Sequence, residues 1–237
     1  MKIWALSDLH LSFDSDKPMD IFGDGWANYA QKIEENWRKK VGEDDIVLVS
    51  GDISWALKLD NAKADLNFLG ALPGTKIIIK GNHELWWGSL SKVKEILPKS
   101  VIALQNNSIK IKNYIFCGTR GWAVKEINKP YTQQDQKIYD REVIRLNLTL
   151  EDMEKKREEN DKVFCLFHFP PFNAKFEDNE FTNLFEKHRV DYVVYGHIHG
   201  KNDNAPLALL RHKIKYYLTS TDQIKHDPVL IYDEDKN

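Results

Sequence analysis

Short apolar runs recur along the chain at Ile3–Leu6, Ile46–Val49, Ile77–Ile79, Val101–Leu104, Ile115–Cys117, Val163–Phe167 and Tyr192–Tyr195. Their β-branched and aromatic content, with turn or polar flanks, predicts buried strands. Between them lie helical patterns. Trp26–Lys40 carries Trp26, Tyr29, Ile33 and Trp37 at helical spacing, and Asn61–Leu69 and Leu90–Leu97 read as further helices. Alternating strands and helices predict an α/β fold with mostly parallel pairing in the first half. The tail differs: Leu207–Arg211, Lys213–Leu218 and Val229–Tyr232 read as strands with no helix between them, so an antiparallel portion is expected there. Residues 132–160 are strongly polar, with Ile138, Ile144, Leu148 and Met153 as an imperfect helical stripe. With no linker, repeat or low-complexity block, the reading is one domain over 1–237 with a helical insert near 125–160.

Composition narrows this picture. Apolar residues make up 42% and charged residues 30%, as in an ordinary globular chain of 237 residues. The net charge of -2 offers no field for steering onto nucleic acid or anionic membrane. The opening Met1–Asp8 is too short and too soon charged for a signal peptide, and no apolar stretch approaches the ~20 residues of a membrane span. Cys117 and Cys165 each sit in an apolar run, which favours buried free thiols over a disulfide and a cytoplasmic location.

The chemistry gathers where strands end. Asp8 and His10 follow the first strand, Asp52 the second, Asn82 and His83 the third, His168 the Val163–Phe167 run, and His197 and His199 the Tyr192–Tyr195 run. In open α/β sheets that carboxyl edge is where ligands bind. Asp8 and His10 are two apart, as are His197 and His199. In extended backbone such pairs project to one side. Gly51, Gly81 and Gly196 each precede one of these residues and permit sharp turns or close approach. A lone Asp or His at a strand end is usually a cap or a solvated loop residue. Five of the eight histidines share this setting, however, and burying so many polar groups without a common partner is costly. His188, His212 and His226 lack it and are expected at the surface.

Asp8-x-His10, Gly51-Asp52, Gly81-Asn82-His83-Glu84, a lone His168 and Gly196-His197-x-His199, in that order, resemble the five-block signature of the calcineurin-like metallophosphoesterases. The resemblance implies a four-layer αββα sandwich of two mixed sheets flanked by helices. It also implies two divalent metal ions. Asp8, His10, Asp52 and His199 would hold one, and Asp52, Asn82, His168 and His197 the other, with Asp52 bridging. Only two of these seven ligands are anions, so two cations would leave surplus positive charge to attract phosphate and acidify a bound water. A metal-bound hydroxide would then attack a phosphate ester. Imidazole, carboxylate and amide donors suit Mn, Fe, Zn, Co or Ni, with manganese the family's first choice. His83 is implied as the catalytic group that stabilises the transition state or protonates the leaving group. Glu84 is expected to orient His83 or support another ligand, with a solvated loop carboxylate as an equal alternative.

Departures from the signature bear on substrate. The Asp-Arg-Gly that continues Gly-Asp in the protein phosphatases and dinucleoside tetraphosphatases is replaced by Ile53-Ser54-Trp55. Trp55 also stands where purple acid phosphatases place a tyrosine ligand. Gly81-Asn82-His83-Glu84 differs from the Gly-Asn-Arg-Asp of the lipid-A-pathway pyrophosphatases. What remains resembles the bacterial phosphodiesterase-like branch, acting on a small or nucleotide-like substrate, and Phe167-His168-Phe169-Pro170-Pro171 matches a pattern common there. Trp55, Trp86, Trp87 and Trp122 could line an aromatic mouth, although packing is the favoured role. Arg120 could reach a phosphate or carboxylate, with a surface salt bridge equally favoured. A phosphomonoesterase, a DNA or RNA nuclease and a non-catalytic metal-binding scaffold are the alternatives. The nuclease is disfavoured by the scattered Lys and Arg, and the scaffold by the intact motif. The oligomeric state leaves no trace in the sequence.

Overall fold

The structure, a computed structural model, describes all residues except 18, 127–128, 201–204 and 237. Its strands are β1 (Lys2–Ala5), β2 (Ile46–Val49), β3 (Thr75–Ile79), β4 (Val101–Leu104), β5 (Asn107–Ile111), β6 (Tyr114–Thr119), β7 (Lys162–Phe167), β8 (Tyr192–Tyr195), β9 (Ala208–Arg211), β10 (Ile214–Leu218) and β11 (Val229–Asp233). They form a five-stranded sheet ordered β11-β1-β2-β3-β4 and a six-stranded sheet ordered β5-β6-β7-β8-β10-β9. In the first sheet β1 to β4 run parallel, with β11 antiparallel at the edge. In the second, β6, β7, β8 and β10 run parallel, with β5 and β9 antiparallel at the edges. The expected antiparallel tail is therefore half right: β10 pairs antiparallel with β9 but parallel with β8.

Side-chain alternation builds four layers from these sheets. Ile3, Ala5, Leu48, Ile77 and Ile79 of the first sheet meet Phe116, Phe164, Leu166 and Val194 of the second in one core. The opposite face of the first sheet (Trp4, Val47, Val49, Ile78) packs on α1 (Tyr29–Lys40), α2 (Ala62–Ala71) and α3 (Leu90–Ile96). The opposite face of the second (Ile115, Cys117, Cys165, Phe167, Val193) packs on α4 (Gln133–Glu154) and α5 (Glu180–Lys187). Trp37 of α1 is fully buried and its indole donates to Pro73 O at 3.0 Å. Truncating such a side chain to alanine costs ~3–5 kcal/mol. Cys117 and Cys165 are free thiols, in register on neighbouring strands.

Several local expectations are corrected. The helix begins at Tyr29, because Asn28 adopts a left-handed φ of 53° and Trp26 belongs to a preceding 3-10 turn. In α4 the buried stripe is Tyr139, Glu142, Leu146, Leu150 and Met153, whereas Ile144 and Leu148 face solvent. The polar Glu142 and Thr149 take inward positions and hide the true periodicity from a count of apolar residues. His188 and His226 are buried, contrary to expectation, and only His212 lies open. His188 reaches Glu154, while His226 bonds to Thr221 and Gly25 O and packs on Trp26. Among the described residues no helix is long and apolar enough to cross a membrane.

Candidate metal centre

The parallel strands of both sheets end along one edge, and the loops beyond β1, β2, β3, β7 and β8 bring the motif residues together there. One donor atom from each of Asp8, His10 and His199 lies within 4.8 Å of the others, and Asp52, His168 and His197 form a second such trio. Asn82 joins the second: its Oδ1 lies 2.7 Å from His168 Nε2 and 2.8 Å from His197 Nδ1. Asp52 Oδ2 stands between the groups, 3.5 Å from His168 Nε2 and 3.9 Å from the Nε2 atoms of both His10 and His83.

The pairs spaced by two converge, but not by extended backbone. Asp8, His10, Asp52 and His197 all have positive φ, between 46° and 71°. This left-handed region costs a non-glycine residue ~1–3 kcal/mol and is held only where the surroundings enforce it. Backbone bonds do so here: Asp8 N donates to Gly51 O at 3.0 Å, and His10 N to Asp52 O at 2.9 Å. The glycines act by close approach. A Cβ on Gly81 would lie 2.2 Å from Asp52 Oδ1, and one on Gly196 would lie 2.1 Å from Asp8 Oδ2.

Glu84 resolves into a buried brace. It is fully buried, and its carboxylate accepts from the amides of Gly81 at 2.6 Å, Asp52 at 3.0 Å and Ser54 at 3.3 Å, and from Ile53 N. It thereby ties the loop after β3 to the loop after β2. Asp222, which the motif search overlooked, accepts from His199 Nδ1 at 2.9 Å and from Gly200 N at 2.8 Å. It lies in the loop following β10, so the strand-end rule that found the others would have found it. Arg120 points away from the cluster toward Glu142, but its carbonyl accepts from His168 N at 3.1 Å.

The tryptophans pack. Trp86 and Trp87 are buried, and Trp122 lies 5.0 Å from Phe169. Trp55 stacks on His10 at 4.8 Å, with Lys17 Nζ 3.8 Å from its ring centre. His83 leans on Trp55 at 4.3 Å and keeps 42% of its side chain exposed, so it sits at the mouth of the cluster.

The electrostatics of the cluster are those of closely packed, buried ionisable groups. Burial, then the charge of Asp52, pushes Asp8 up to about 8, and the same two causes raise Glu84 to about 8. Burial lowers His10 and His197 to about 3, and His168 is also lowered by burial. His199 moves up, because Asp222 and Asp8 outweigh the effect of its burial. His168 Nδ1 lies 2.8 Å from Ser50 O, a contact that needs the proton on Nδ1. Its Nε2 lone pair then faces Asn82 Oδ1, an acceptor facing an acceptor, as the amide is oriented. Asp52 Oδ2 is buried without any hydrogen-bond partner. The Nε2 atoms of His10 and His199 lie 3.2 Å apart. Two nitrogens each ~2.1 Å from a shared cation lie about 3.0–3.4 Å apart. Facing lone pairs, an orphaned carboxylate oxygen and this spacing all fit divalent cations.

Comparison with known proteins places the chain in a family and supports its fold. Residues 1–201 match the calcineurin-like phosphoesterase family. A protein of Xenorhabdus bovienii named a probable cyclic nucleotide phosphodiesterase is 25% identical over 214 residues, which cover 84% of this chain and 78% of that one. Phosphopantetheinyl hydrolase of Mycobacterium tuberculosis superposes with a TM-score of 0.55 at 14% identity, covering 100% of this chain and 98% of that one. TT1561 of Thermus thermophilus gives 0.54 at 12%, with 96% of each chain covered. The chain belongs to the calcineurin-like phosphoesterase family: it is a hydrolase acting on phosphate esters.

Proposed function

We propose that the chain is a binuclear metal-dependent phosphodiesterase acting on a small or nucleotide-like diester. The observation that carries this reading is the pair of donor trios on either side of Asp52, whose Oδ2 is buried and unpartnered. Asp8, His10, Asp52 and His199 would hold one cation, and Asp52, Asn82, His168 and His197 the other. When bound, the two cations neutralise phosphate charge and activate a water for in-line attack. Imidazole, carboxylate and amide donors with no thiolate suit Mn, Fe, Zn, Co or Ni, and manganese is the ion of choice.

The chain's own groups do the rest. Ser50 O and Asp222 hold the His168 and His199 rings so that each Nε2 faces the cluster. Glu84 fixes the Asp52 loop. His83, at the mouth, hydrogen-bonds a phosphate oxygen and supports departure of the leaving oxygen. Diester preference is supported by the Ile53-Ser54-Trp55 departure and by the name of the Xenorhabdus relative. The buried free thiols suit a reducing, cytoplasmic setting.

The test is a manganese-loaded panel of bis-p-nitrophenyl phosphate, p-nitrophenyl phosphate, 2′,3′- and 3′,5′-cyclic nucleotides and single-stranded DNA. The expected result is hydrolysis led by the small diesters. Dominant monoester or DNA cleavage would overturn the diester reading, and no hydrolysis with both metals bound would overturn the enzymatic one.

A further inference from the structure

Beside the metal cluster, at the ends of β3, β4 and β6, the structure holds a cavity of about 170 Å³. A single water needs ~10–15 Å³ on this measure, so the space admits a small polyatomic ion. Four cations line it, Lys80, Arg120, Arg141 and Arg145, against a single carboxylate, Glu142. Glu142 is fully buried, and its Oε1 accepts from Arg145 Nη1 at 2.7 Å, Arg120 Nη2 at 3.1 Å and Arg141 Nη2 at 3.4 Å. One carboxylate oxygen thus serves three guanidinium groups. Arg120 Nε and Glu142 Oε2 are both buried without a hydrogen-bond partner. Lys80 Nζ donates to Trp87 O at 3.0 Å, a neutral acceptor, with the carboxyl of Glu84 as its nearby opposite charge.

Among the lining side chains, cations thus outnumber carboxylates four to one. Confining like charges in partly dry space is unfavourable unless a counter-charge joins them. Planar guanidinium forks with unused donors match a tetrahedral oxyanion. Access exists, since the Arg141 and Arg145 side chains are 51% and 39% exposed.

We propose that this cavity is a second anion site, separate from the metal cluster, that takes the phosphoryl group of a free small molecule. It does not depend on the assignment of the metals. Its position gives occupancy a route to them: Arg120 lines the cavity with its side chain, while its carbonyl holds the amide of His168.

The experiment titrates metal-free protein with inorganic phosphate, followed by calorimetry and by the thermal midpoint. Arg141→Ala/Arg145→Ala is compared with wild type, and Arg38→Ala, a half-exposed side chain on the outer face of α1, is the control. The expected result is saturable binding by wild type and by the control, with the double variant weaker by at least about tenfold and no longer stabilised by phosphate. Arg141→Ala alone, a half-exposed position, covers the case in which the double variant folds poorly, and is expected to weaken binding severalfold. No saturable binding by wild type overturns the proposal, as does binding that survives both substitutions in folded protein.

Discussion

Replacing Asp222 by asparagine asks how much of the cluster's order comes from outside its donor atoms. The carboxylate uses both oxygens, Oδ1 for His199 Nδ1 at 2.9 Å and Oδ2 for Gly200 N at 2.8 Å. An amide of the same shape offers one acceptor, so one donor loses its partner whichever way it turns. A hydrogen bond to a charged group contributes ~1.5–3 kcal/mol, and the metal-free variant should lose about that much stability. The larger effect falls on the cation held by His199. Loss of a partner behind a metal-bound histidine typically weakens affinity by ~10–100-fold, or about 1.4–2.7 kcal/mol. Titration of Mn²⁺ against a competing chelator, with folding monitored by circular dichroism, reads this directly. One of two binding steps should weaken while the other, held by Asp52, Asn82, His168 and His197, stays near its wild-type value. Wild-type affinity at both steps would refute the argument, and so would equal weakening of both.

Other substitutions and conditions extend the test. His83→Ala should keep both metals but lose ~10²–10⁴-fold in turnover, whereas Asp52→Asn should lose metal; metal analysis with kinetics on both variants checks this. Gly196→Ala puts a methyl group 2.1 Å from Asp8 Oδ2 and should lower metal affinity by at least about tenfold, read by the same titration. The metal-free protein should lose stability between pH 6.5 and 8, measured by urea unfolding. Over that range folded Asp8 and Glu84, raised to about 8, still hold protons that the unfolded chain has released. Each such proton contributes a slope of up to ~1.4 kcal/mol per pH unit. Below about 6.5 the lowered His10 and His197 oppose that trend, because the unfolded chain then binds protons that these buried rings refuse. Saturating metal should flatten the decline above pH 6.5, since bound cations keep the carboxylates ionised.

The sequence made some of this visible and concealed the rest for physical reasons. Buried parallel strands are continuous apolar runs, so most were legible, and so were the motif residues at their ends. The edge strand β5 mixes Asn107, Ser108 and Lys110 with two isoleucines and left no such run. The helix α4 was legible as a helix but not as a face, because the buried Glu142 takes an apolar position. Spacing brought Asp8 to His10 for the wrong reason: the chain reaches that geometry through left-handed turns, which composition does not announce. Asp222 follows a strand end like the other motif residues and was legible by the same rule, whereas the amides of Asp52 and Ser54 that Glu84 accepts from belong to no local pattern, being about 30 residues away in the chain.

The pairing of β1 with β11 has a consequence for the order of assembly. Residues 2–5 gain their outer neighbour only from residues 229–233, yet Asp8 and His10 hang from the end of that same early strand. During synthesis the first donors emerge long before the strand that closes their sheet, and before the second sheet that supplies His168, His197 and His199. A metal centre built from these donors would thus mature late, and contacts so distant in sequence predispose the chain to slow folding. Supply of cation would then act on the completed fold rather than on a nascent fragment.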